Sequence, residues 1–566
     1  MRFLFINPFY PVEELPSPPL GVGYLAATLE RAGIEVRVYD LVVSRYAPEK
    51  LEAIMADFQP DVVGATSVTM TFTSAIRAIE EAKRIDPRVV TAMGGAHVSY
   101  CAEKTLRQHP GLDVVAMGEG ETMILELCEA AAGTRSWDSV KGLVWRDGDE
   151  LRNNGGREGW IDVNTLPIPA RHLTPLARYR AIRTPISMTT SRGCPFQCIF
   201  CTGRKLVGPS IRWRHAENVV DEMAHIASMG FHQVNLADDL FTARKPHAYA
   251  VCDEIIRRGV EVTWTSFANV NTVDVPLLSR MREAGCVTVS FGLESGNQEI
   301  LRNVKKGTKI PNILKAVEAC REAGVLAHGS FIVGLPGETT ETLRETIEFS
   351  KLLREMGAMT GFHMLAPFPG TPVYDEAEKF GIRILTENWD DFHANHAITE
   401  SDALDRETAE AVVAEIYGAA TRVFEDLAGR IRAGTASPEE VEHYATLESQ
   451  SVYYDMMMQD VLETHGSWYT PTARVDEDEA VAGAVQVVSQ ATGRSCEVVE
   501  RAVRRGLADG LLRHRSEDGV CRWEFADSPE SLRVTEVVRQ GPRPLAAVRP
   551  PAPWAPDDGR TADGAA

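Results

Sequence analysis

Ser191-Arg-Gly-Cys-Pro-Phe-Gln-Cys-Ile-Phe-Cys201 is the stretch that decides the fold and the chemistry of this 566-residue chain. Its cysteines, Cys194, Cys198 and Cys201, have the spacing C-x3-C-x2-C, and thiolates this close in sequence can converge on one soft metal centre. A [4Fe–4S] cluster is usually held by four cysteines, so three leave one iron open to bind and reduce another molecule. A structural zinc ion, the alternative, usually takes two separated pairs of ligands, and no second pair follows. We therefore predict an open-iron cluster.

The same stretch resembles the radical SAM motif, C-x3-C-x-aromatic-C, with Phe200 as the aromatic residue. In that family the open iron chelates the amino and carboxylate groups of S-adenosylmethionine. Electron transfer then breaks the C–S bond and releases a 5′-deoxyadenosyl radical. The resemblance implies a [4Fe–4S] cluster and S-adenosylmethionine as cofactors, with Phe200 beside the latter. It also implies an external one-electron reductant of the flavodoxin or ferredoxin type.

The composition is that of a globular protein with about three domains. Hydrophobic residues make up 44% and charged residues 25%, and the absence of long apolar runs predicts no membrane span. The segment Met1–Pro8 lacks the features of a signal peptide, which favours a cytoplasmic protein. The formal net charge of −21 disfavours a nucleic-acid partner, because binding phosphates requires a basic face.

Residues 1–150 alternate short apolar runs with helical periodicity, which predicts an α/β domain with a doubly wound parallel sheet. The expected strands are Arg2–Ile6, Glu35–Tyr39, Asp61–Thr66, Arg88–Met93 and Asp113–Met117, and the expected helices are Gly21–Ala32, Phe72–Ile85 and Glu121–Ala132. Ligands of such sheets bind beyond the carboxyl ends of the strands. The loops at those ends are Pro16–Gly21, Ser67–Thr69, Gly94–His97 and Gly118–Glu121, and most contain glycine, which lets a backbone approach a ligand.

These segments resemble the cobalamin-binding domain that precedes the radical SAM domain in the cobalamin-dependent subgroup. The resemblance implies cobalamin contacts from Pro19, Leu20, Gly21, Ser67, Thr69, Gly94, Gly95, His97, Gly118, Glu119 and Gly120. Many cobalamin domains place a histidine under cobalt with D-x-H-x-x-G, but the nearest string, Asp391–His396, lies in another domain and lacks the glycine. The resemblance therefore implies cobalt without a protein histidine below it, and His97 either touches the ligand or has a loop or capping role. The alternative is a degenerate domain that binds no cobalamin.

A nicotinamide site is a competing interpretation of this domain. The string Gly21-Val-Gly-Tyr-Leu-Ala26 matches G-x-G-x-x-A, and Asp40 ends the second strand. That motif should follow its strand directly as a tight turn, whereas about fourteen residues separate Ile6 from Gly21. The long insertion disfavours a nicotinamide site.

A proline-containing linker, residues 151–185, leads to a central domain over residues 186–395. Its expected strands are Ser187–Ser191, Gln233–Ala237, Glu261–Phe267, Val287–Leu293, Ala327–Val333 and Thr360–Leu365, with helices near 215–229, 245–258, 274–284, 311–323 and 339–355. Six strand–helix units predict an incomplete (β/α)6 barrel, whose chemistry belongs at the carboxyl ends of the strands.

The radical SAM resemblance continues at those strand ends. It implies that Asp238 or Asp239 contacts the amino group of S-adenosylmethionine, although a helix-capping aspartate is the alternative. It implies that Glu294, next to Ser295, accepts hydrogen bonds from the ribose. Gly329–Glu338 resembles G-x-I-x-G-x-x-E in an imperfect register, which implies Ile332 and Gly334 beside the adenine. Ala366 directly follows the sixth strand and is a further expected contact of S-adenosylmethionine.

Residues 396–541 are expected to form a mostly helical C-terminal domain. Glu407–Val461 has a charged helical pattern, and helices over Glu477–Gln490 and Ser495–Ala508 with a hairpin over Leu511–Phe525 suggest a winged-helix-like unit. In so acidic a chain we expect a substrate-gating or structural role for this unit rather than DNA binding. Residues 542–566, rich in Pro, Ala, Gly and Asp, are expected to form a disordered tail.

The combined resemblance implies a cobalamin-dependent radical SAM enzyme. The usual chemistry of the subgroup is methylation of an unactivated carbon, occasionally of phosphorus, with one S-adenosylmethionine methylating cobalamin and a second forming the radical. One alternative is oxidative ring formation, as in the anaerobic Mg-protoporphyrin ester cyclase. An alternative of another class is a cobalamin-binding regulator, which the cysteine motif disfavours because a regulator needs no open iron. We expect a small-molecule substrate, which the sequence does not name.

Overall fold

The computed structural model describes residues 1–10, 17–469, 475–517 and 520–526. Three expected features therefore lie outside the described residues. They are the start of the loop at Pro16, the hairpin turn at Asp518-Gly519 and the tail over 542–566.

The N-terminal domain is built on a seven-stranded sheet. Its strands are β1 (Arg2–Asn7), β2 (Glu35–Asp40), β3 (Val62–Thr66), β4 (Val90–Gly94), β5 (Val114–Ala116), β6 (Leu143–Asp147) and β7 (Glu150–Asn153). They lie in the order β2-β1-β3-β4-β5-β6-β7, and the first five are parallel, which confirms the predicted sheet. The strands β6 and β7, which were not predicted, add an antiparallel hairpin that extends past the expected boundary at residue 150.

Helices cover both faces of this sheet. They are α1 (Leu20–Arg31), α2 (Pro48–Phe58), α3 (Phe72–Ile85), α4 (Ala96–Gln108) and α5 (Met123–Ala131). One core joins α1 and α5 to one face, and a second joins α2, α3 and α4 to the other. Two of the helices, α2 and α4, were not predicted. The expected loop Gly94–His97 is instead the start of α4, because Gly95 is its N-cap and His97 lies in its first turn.

The central domain is an open barrel of six parallel strands. These are β8 (Ile186–Met188), β11 (Gln233–Leu236), β12 (Thr263–Ala268), β13 (Cys286–Glu294), β14 (Leu326–Val333) and β15 (Met359–Met364). They lie side by side in chain order, with β8 and β15 at the two edges, which confirms the incomplete barrel. The expected strand over 187–191 is broken in two, because β9 (Ser191–Arg192) pairs antiparallel with β10 (Arg212–Trp213).

Helices cover the outside of the barrel. The linker and central helices are α6 (Leu176–Ala181), α7 (Gly203–Val207), α8 (Ala216–Ser228), α9 (Lys245–Arg258), α10 (Val275–Glu283), α11 (Gln298–Asn303), α12 (Ile310–Ala323), α13 (Thr340–Glu355) and α14 (Pro372–Asp375). Fully buried Trp264 and its strand neighbours pack against these helices in the largest core. A two-residue ladder, β16 (Arg383–Ile384) with β17 (Thr399–Glu400), follows the last barrel strand.

The C-terminal region packs against the same large core. Its elements are α15 (Arg406–Arg432), α16 (Pro438–Met458), α17 (Val461–His465), β18 (Ser467–Tyr469), α18 (Glu477–Thr492), α19 (Cys496–Ala508), β19 (Leu512–Glu517) and β20 (Val520–Phe525). The long helical segment is interrupted before Ser437, which forms a capping box with Glu440 at the start of α16. The expected hairpin is present with an extra strand, β18, beside β20. The winged-helix-like interpretation stays a prediction.

Candidate active site

The three motif cysteines lie on the loop that joins β9 to α7. The backbone N–H of Cys194 donates to the carbonyl of Gly208 (3.0 Å), and the N–H of Gly203 donates to Sγ of Cys201 (3.3 Å). Gly193 starts the loop with φ +119, and a Cβ there would lie 2.3 Å from the carbonyl oxygen of Ser210. The loop is therefore tied down at both ends, and Gly193 admits no larger residue.

Cys194 and Cys198 are partly buried and Cys201 is exposed, and the three thiols lie within electrostatic range of one another. Burial raises the pKa of each thiol above its usual value, for Cys198 to about 11. Cys194 and Cys201 also feel the carboxylate of Asp239, which adds to the upward shift of their pKa values. Lys306 acts in the opposite direction on all three. Without a metal these groups are thiols, and they would release protons on binding one.

The two adjacent aspartates after β11 differ in their surroundings. The carboxylate of Asp238 is buried and accepts hydrogen bonds from the N–H and hydroxyl of Thr190 (2.5 Å each) and from the hydroxyl of Ser191 (2.7 Å). Burial raises the pKa of Asp238 to about 6 despite these bonds. Asp239 instead accepts from the N–H of Gly193 (3.3 Å) and lies beside Gly203. Asp238 thus fixes the backbone ahead of the cysteine loop, whereas Asp239 faces the loop itself.

Glu294 ends β13 in a strained backbone conformation. Its φ is +65, and the register with β14 shifts between Gly292 and Glu294. Its carboxylate accepts a hydrogen bond from Nζ of Lys306 at 2.6 Å, and a Cβ on Gly292 would lie 2.5 Å from Oε1 of Glu294. A positive φ in a residue other than glycine marks a position that its surroundings hold in place, often at a functional site. The bulge therefore aims Glu294 at a set position over Gly292.

Lys306 lies between Glu294 and the cysteine loop. Burial lowers the pKa of Lys306, but attraction to Glu294 and to the thiols of Cys198 and Cys201 raises it more, so its net shift is upward. Lys306 thus places a buried cation beside the loop that the cysteines occupy. Lys306 was not among the predicted site residues, although a lysine pair follows the strand that ends at Glu294.

The other expected contacts of S-adenosylmethionine fall into two groups. Phe200 and Ile332 flank one apolar cluster, and Ala366 belongs to a neighbouring one. Gly334, with φ +89, donates its N–H to the buried carboxylate of Glu338 at 2.6 Å. Ser295 is fully buried, and its hydroxyl lies 3.1 Å from Oγ1 of Thr346, so it braces the backbone after Glu294.

The expected cobalamin contacts cluster at the carboxyl edge of the N-terminal sheet. Leu20 begins α1 and Pro19 is its N-cap, Gly94 ends β4, and Ser67 is buried with its hydroxyl towards Met93. A Cβ on Gly95 would lie 2.4 Å from the carbonyl oxygen of Ser67, so the loops after β3 and β4 touch. A Cβ on Gly21 or Gly118 would meet nothing within 4 Å, whereas one on Gly120 would meet Leu25. Around Gly21 and Gly118, therefore, no other residue crowds this edge.

His97 is packed rather than exposed. Its Nδ1 lies 3.3 Å from Oγ1 of Thr69, and its ring contacts Phe72 and Trp389 with centroids 4.6 and 4.7 Å away. Burial lowers the pKa of His97 to about 4, so the imidazole is neutral near pH 7. Trp389 comes from the segment after the barrel, so His97 joins the two domains.

Glu119 also faces the other domain. Its carboxylate accepts hydrogen bonds from both terminal nitrogens of Arg212 (2.9 Å each) and one from Arg192 (3.3 Å). Glu121 forms an ion pair with Arg192 at 2.6 Å. Arg192 and Arg212 belong to β9 and β10, the strands that flank the cysteine loop. Glu119 was predicted to contact cobalamin, and its two arginine partners were not predicted, because nothing in the local sequence connects them to it.

Tyr100, on α4, reaches the barrel from the N-terminal domain. Its ring lies against Gly370, where a Cβ would be 2.3 Å from a ring carbon. Among the described residues its buried hydroxyl has no hydrogen-bond partner. Burial, together with the charges of Cys201 and Asp375, raises the pKa of Tyr100 to about 12. Tyr100 therefore presents a neutral hydroxyl near the cysteine loop.

Asp40, the acidic residue of the nicotinamide interpretation, makes its hydrogen bonds to other side chains of the protein. It is buried and accepts hydrogen bonds from the amide of Asn7 and the hydroxyl of Tyr179, both at 2.7 Å. Gly23 of the glycine string packs against Pro169 of the linker, whose Cβ would lie 3.0 Å from an added Cβ. Gly23 and Asp40 are thus used in packing against the linker.

Comparison with known proteins agrees with this arrangement. The sequence family described as the Radical SAM superfamily matches residues 188–350, and the B12 binding domain matches residues 14–128. An uncharacterised methyltransferase of Pyrococcus horikoshii is 34% identical over 374 residues, which cover 66% of this chain and 81% of that protein.

The chain belongs to the radical SAM superfamily. Within it, the order of its two domains is that of the cobalamin-dependent enzymes. The anaerobic magnesium-protoporphyrin IX monomethyl ester cyclase of Rubrivivax gelatinosus is 29% identical over 436 residues, covering 72% of this chain and 75% of that protein. The fold matches the solved structure of OxsB, a cobalamin-dependent S-adenosylmethionine radical enzyme, with a TM-score of 0.63 at 16% identity over 92% of this chain and 82% of that one.

The cofactors of this radical SAM enzyme are a [4Fe–4S] cluster, S-adenosylmethionine and cobalamin. Within the described residues, no three His, Cys, Asp or Glu side chains are gathered closely enough to hold a metal ion as they stand. The donor set still fits a cluster, because three thiols share one loop and a buried lysine lies beside them. No helix in the described parts of the chain has the length and apolar character needed to span a bilayer.

Proposed function

We propose that this enzyme is a cobalamin-dependent methyltransferase that acts on an unactivated carbon, or on phosphorus, of a small molecule. The observation that carries the proposal is the link between Glu119 and the strands of Arg192 and Arg212. It holds the loop after β5 of the B12-binding domain beside the strands that flank the cysteine loop, which supports a space shared by both cofactors. The methyltransferase of Pyrococcus horikoshii supports the same activity.

We assign the cluster to Cys194, Cys198 and Cys201, and the amino group of S-adenosylmethionine to Asp239 rather than Asp238. The carboxylate of Asp239 faces the cysteine loop, whereas three hydrogen bonds already occupy Asp238. Lys306 supplies a cation for the methionine carboxylate, and Glu294 accepts from the ribose hydroxyls. Phe200 and Ile332 provide the apolar surface for the adenine.

When bound, the cluster and S-adenosylmethionine supply the 5′-deoxyadenosyl radical, and cobalamin supplies the methyl group. The protein itself contributes the side chains that would position these groups. Asp239 and Lys306 would hold the amino and carboxylate groups at the methionine end of S-adenosylmethionine, and the bulge at Glu294 would hold its ribose. Tyr100 packs its ring against Gly370 from the side of the N-terminal domain and so contributes to the position of the two domains.

The inner face of the barrel supports a small polar substrate. Thr265 points to this face, because its hydroxyl donates to Oδ1 of Asn235 on the neighbouring strand (3.0 Å). Phe267, two residues further along β12 on the same face, is 45% exposed. A substrate entering here would meet hydrogen-bonding groups around one exposed aromatic ring.

The experiment is anaerobic incubation of cluster-loaded enzyme with cobalamin, a flavodoxin- or ferredoxin-type reductant and S-adenosylmethionine carrying a deuterated methyl group. A methyltransferase forms both S-adenosylhomocysteine and 5′-deoxyadenosine and transfers the label to a product from added cell extract. The Cys198→Ala variant should form no 5′-deoxyadenosine. Normal cleavage by this variant would overturn the cluster assignment.

Oxidative ring formation is the second candidate, favoured by the 29% identity to the cyclase of Rubrivivax gelatinosus. A cyclase would form 5′-deoxyadenosine without matching S-adenosylhomocysteine and without a labelled product. That pattern in the same assay would replace methyl transfer by cyclisation.

A further inference from the structure

Two carboxylates of the N-terminal domain hold two arginines of the central domain. We call Glu119, Glu121, Arg192 and Arg212 the carboxylate clamp. Arg192 lies 3.3 Å from Glu119 and 2.6 Å from Glu121, and Arg212 makes two 2.9 Å bonds to Glu119. Oε2 of Glu119 also accepts from the N–H of Ile161 (3.1 Å), whose carbonyl accepts from Arg212 (2.7 Å).

The clamp is balanced in charge and largely buried. Its four side chains retain only 8–17% of their exposure. The guanidinium of Arg192 lies over the ring of Tyr24 (5.1 Å), and that of Arg212 over the ring of Trp160 (5.5 Å). Buried ion pairs add little net stability, because desolvation offsets their attraction, but removing one partner is costly. Such a group is better suited to fixing a geometry than to holding the domains together.

The clamp connects two loops that the proposed reaction uses. Glu119 stands between Gly118, which borders open space with φ +82, and Gly120, on the expected cobalamin edge. Arg192 directly precedes Gly193, which has no room for a Cβ, and Cys194 follows. A displacement of Arg192 is therefore passed to the first cysteine through a segment that is packed against Ser210.

We propose that Glu119 and Glu121 are positioning residues that set the cysteine loop against the cofactor edge of the N-terminal domain. The inference rests on the proposed function, because it assigns the clamp a task in the chemistry of those two regions. The carboxylates act through their ion pairs with Arg192 and Arg212. Loss of the clamp would let the cysteine loop drift, and a displacement of about 1 Å at a reacting centre can lower a rate roughly 100-fold.

The test uses the Glu119→Gln/Glu121→Gln double variant and the Arg192→Lys variant. Glutamine keeps the shape and an acceptor oxygen but removes the charge, whereas lysine keeps the charge but cannot fork between two carboxylates. Glu126→Gln is the control, because Glu126 pairs with Arg157 at 2.6 Å away from the cysteine loop, in a pair that is also partly buried, with 23% and 29% exposure.

The first readout needs no cofactor. Hydrogen exchange of the peptide over residues 193–208 should be about tenfold faster in the double variant than in the wild type, with a smaller effect in Arg192→Lys and none in Glu126→Gln. The second readout is 5′-deoxyadenosine formation by cluster- and cobalamin-loaded enzyme, which should fall roughly 10–100-fold in the double variant at normal iron content.

Unchanged exchange and an unchanged rate in the double variant would overturn the proposal. So would an equal change in Glu126→Gln, since the effect would then be general destabilisation. If the double variant fails to fold, the test rests on Arg192→Lys alone. Hydrogen exchange and a reaction rate equal to those of the wild type in Arg192→Lys would then overturn the proposal. If the wild type forms no 5′-deoxyadenosine, the proposed function is wrong. The hydrogen-exchange measurement on the cofactor-free protein does not depend on that function, and it still shows whether the carboxylate clamp holds the cysteine loop in place.

Discussion

Lys306 and Glu294 form a buried ion pair at the end of β13, with Nζ and Oε1 2.6 Å apart. The pair lies over Gly292 and beside two of the three motif cysteines. It therefore joins the expected ribose end of S-adenosylmethionine to the expected cluster end.

We expect Lys306→Met to weaken S-adenosylmethionine binding at least tenfold. The change removes a cation from the expected carboxylate site and leaves Glu294 buried without its partner, at a cost to stability of about 3–5 kcal/mol. Equilibrium dialysis with labelled S-adenosylmethionine and urea unfolding measure the two effects. Lys309→Met, at an exposed lysine, is the control. Equal binding by Lys306→Met and Lys309→Met would contradict the assignment.

The neighbouring aspartates should separate a structural role from a binding role. Asp238→Asn places an amide donor among three donors, and we expect it to lower the free energy of unfolding by about 1–3 kcal/mol. Asp239→Asn should leave stability nearly unchanged but raise the Kd for S-adenosylmethionine about tenfold, because it removes a charge-assisted bond. Chemical denaturation and dialysis distinguish them, and the reverse pattern would assign the amino group to Asp238.

Glu338 should make stability depend on pH. Burial raises its pKa to about 7, while one oxygen accepts from Gly334 and the other has no partner among the described residues. The folded state thus binds the proton of Glu338 more tightly than the unfolded state does, which adds to the free energy of unfolding at low pH. This added stability, up to about 3 kcal/mol, is lost as the pH rises towards 7 and above. Glu338→Gln cannot ionise. Between pH 5 and 8, the wild type should lose stability relative to Glu338→Gln as the pH rises. A difference in unfolding free energy that stays constant over this range would contradict the prediction.

Gly370→Ala should disturb the contact between the domains. Gly370 has φ +85, and the added methyl would lie 2.3 Å from the ring of Tyr100, so we expect a loss of more than about 2 kcal/mol. Gly381, with φ +67 and open space around it, is the control, and Gly381→Ala should cost only about 1 kcal/mol. In a Tyr100→Ala background the cost of Gly370→Ala should fall to the control value. Thermal unfolding of the four proteins completes the double-mutant cycle, and additive effects would show that Tyr100 and Gly370 do not interact.

Local patterns predicted the framework of this molecule. The cysteine spacing and the strand ends at Asp239 and Glu294 depend on residues close in sequence, so they were visible without a structure. The hairpin of β6 and β7 was missed although its turn, Gly148-Asp149, carries a hairpin signal with Gly148 at φ +61. The helix α4 was missed because Gly94-Gly95 precedes it and its first residue, Ala96, is followed by His97, Val98 and Ser99, which have lower helix propensity.

The details of the candidate site depend on distant partners. Glu119 meets Arg212 across 93 residues of sequence, and Tyr100 meets Gly370 from another domain. Asp238 and Asp239 are adjacent in sequence, and only packing decides which one is enclosed by hydrogen bonds. A local pattern indicates which residue types are available, but the burial and pairing of each depend on the whole fold.

The carboxylate clamp also limits how this enzyme can be recombined. A hybrid could join the first domain of one relative to the barrel of another. The loop that carries the glutamates and the two strands that carry the arginines would then come from different proteins, and their charges need not pair. Two guanidinium groups would then lie buried at the seam without their counterions. Exchange of the first domain should therefore succeed only when Arg192 and Arg212 are exchanged together with it. The interface between the domains, rather than either domain by itself, is the unit that protein engineering has to preserve.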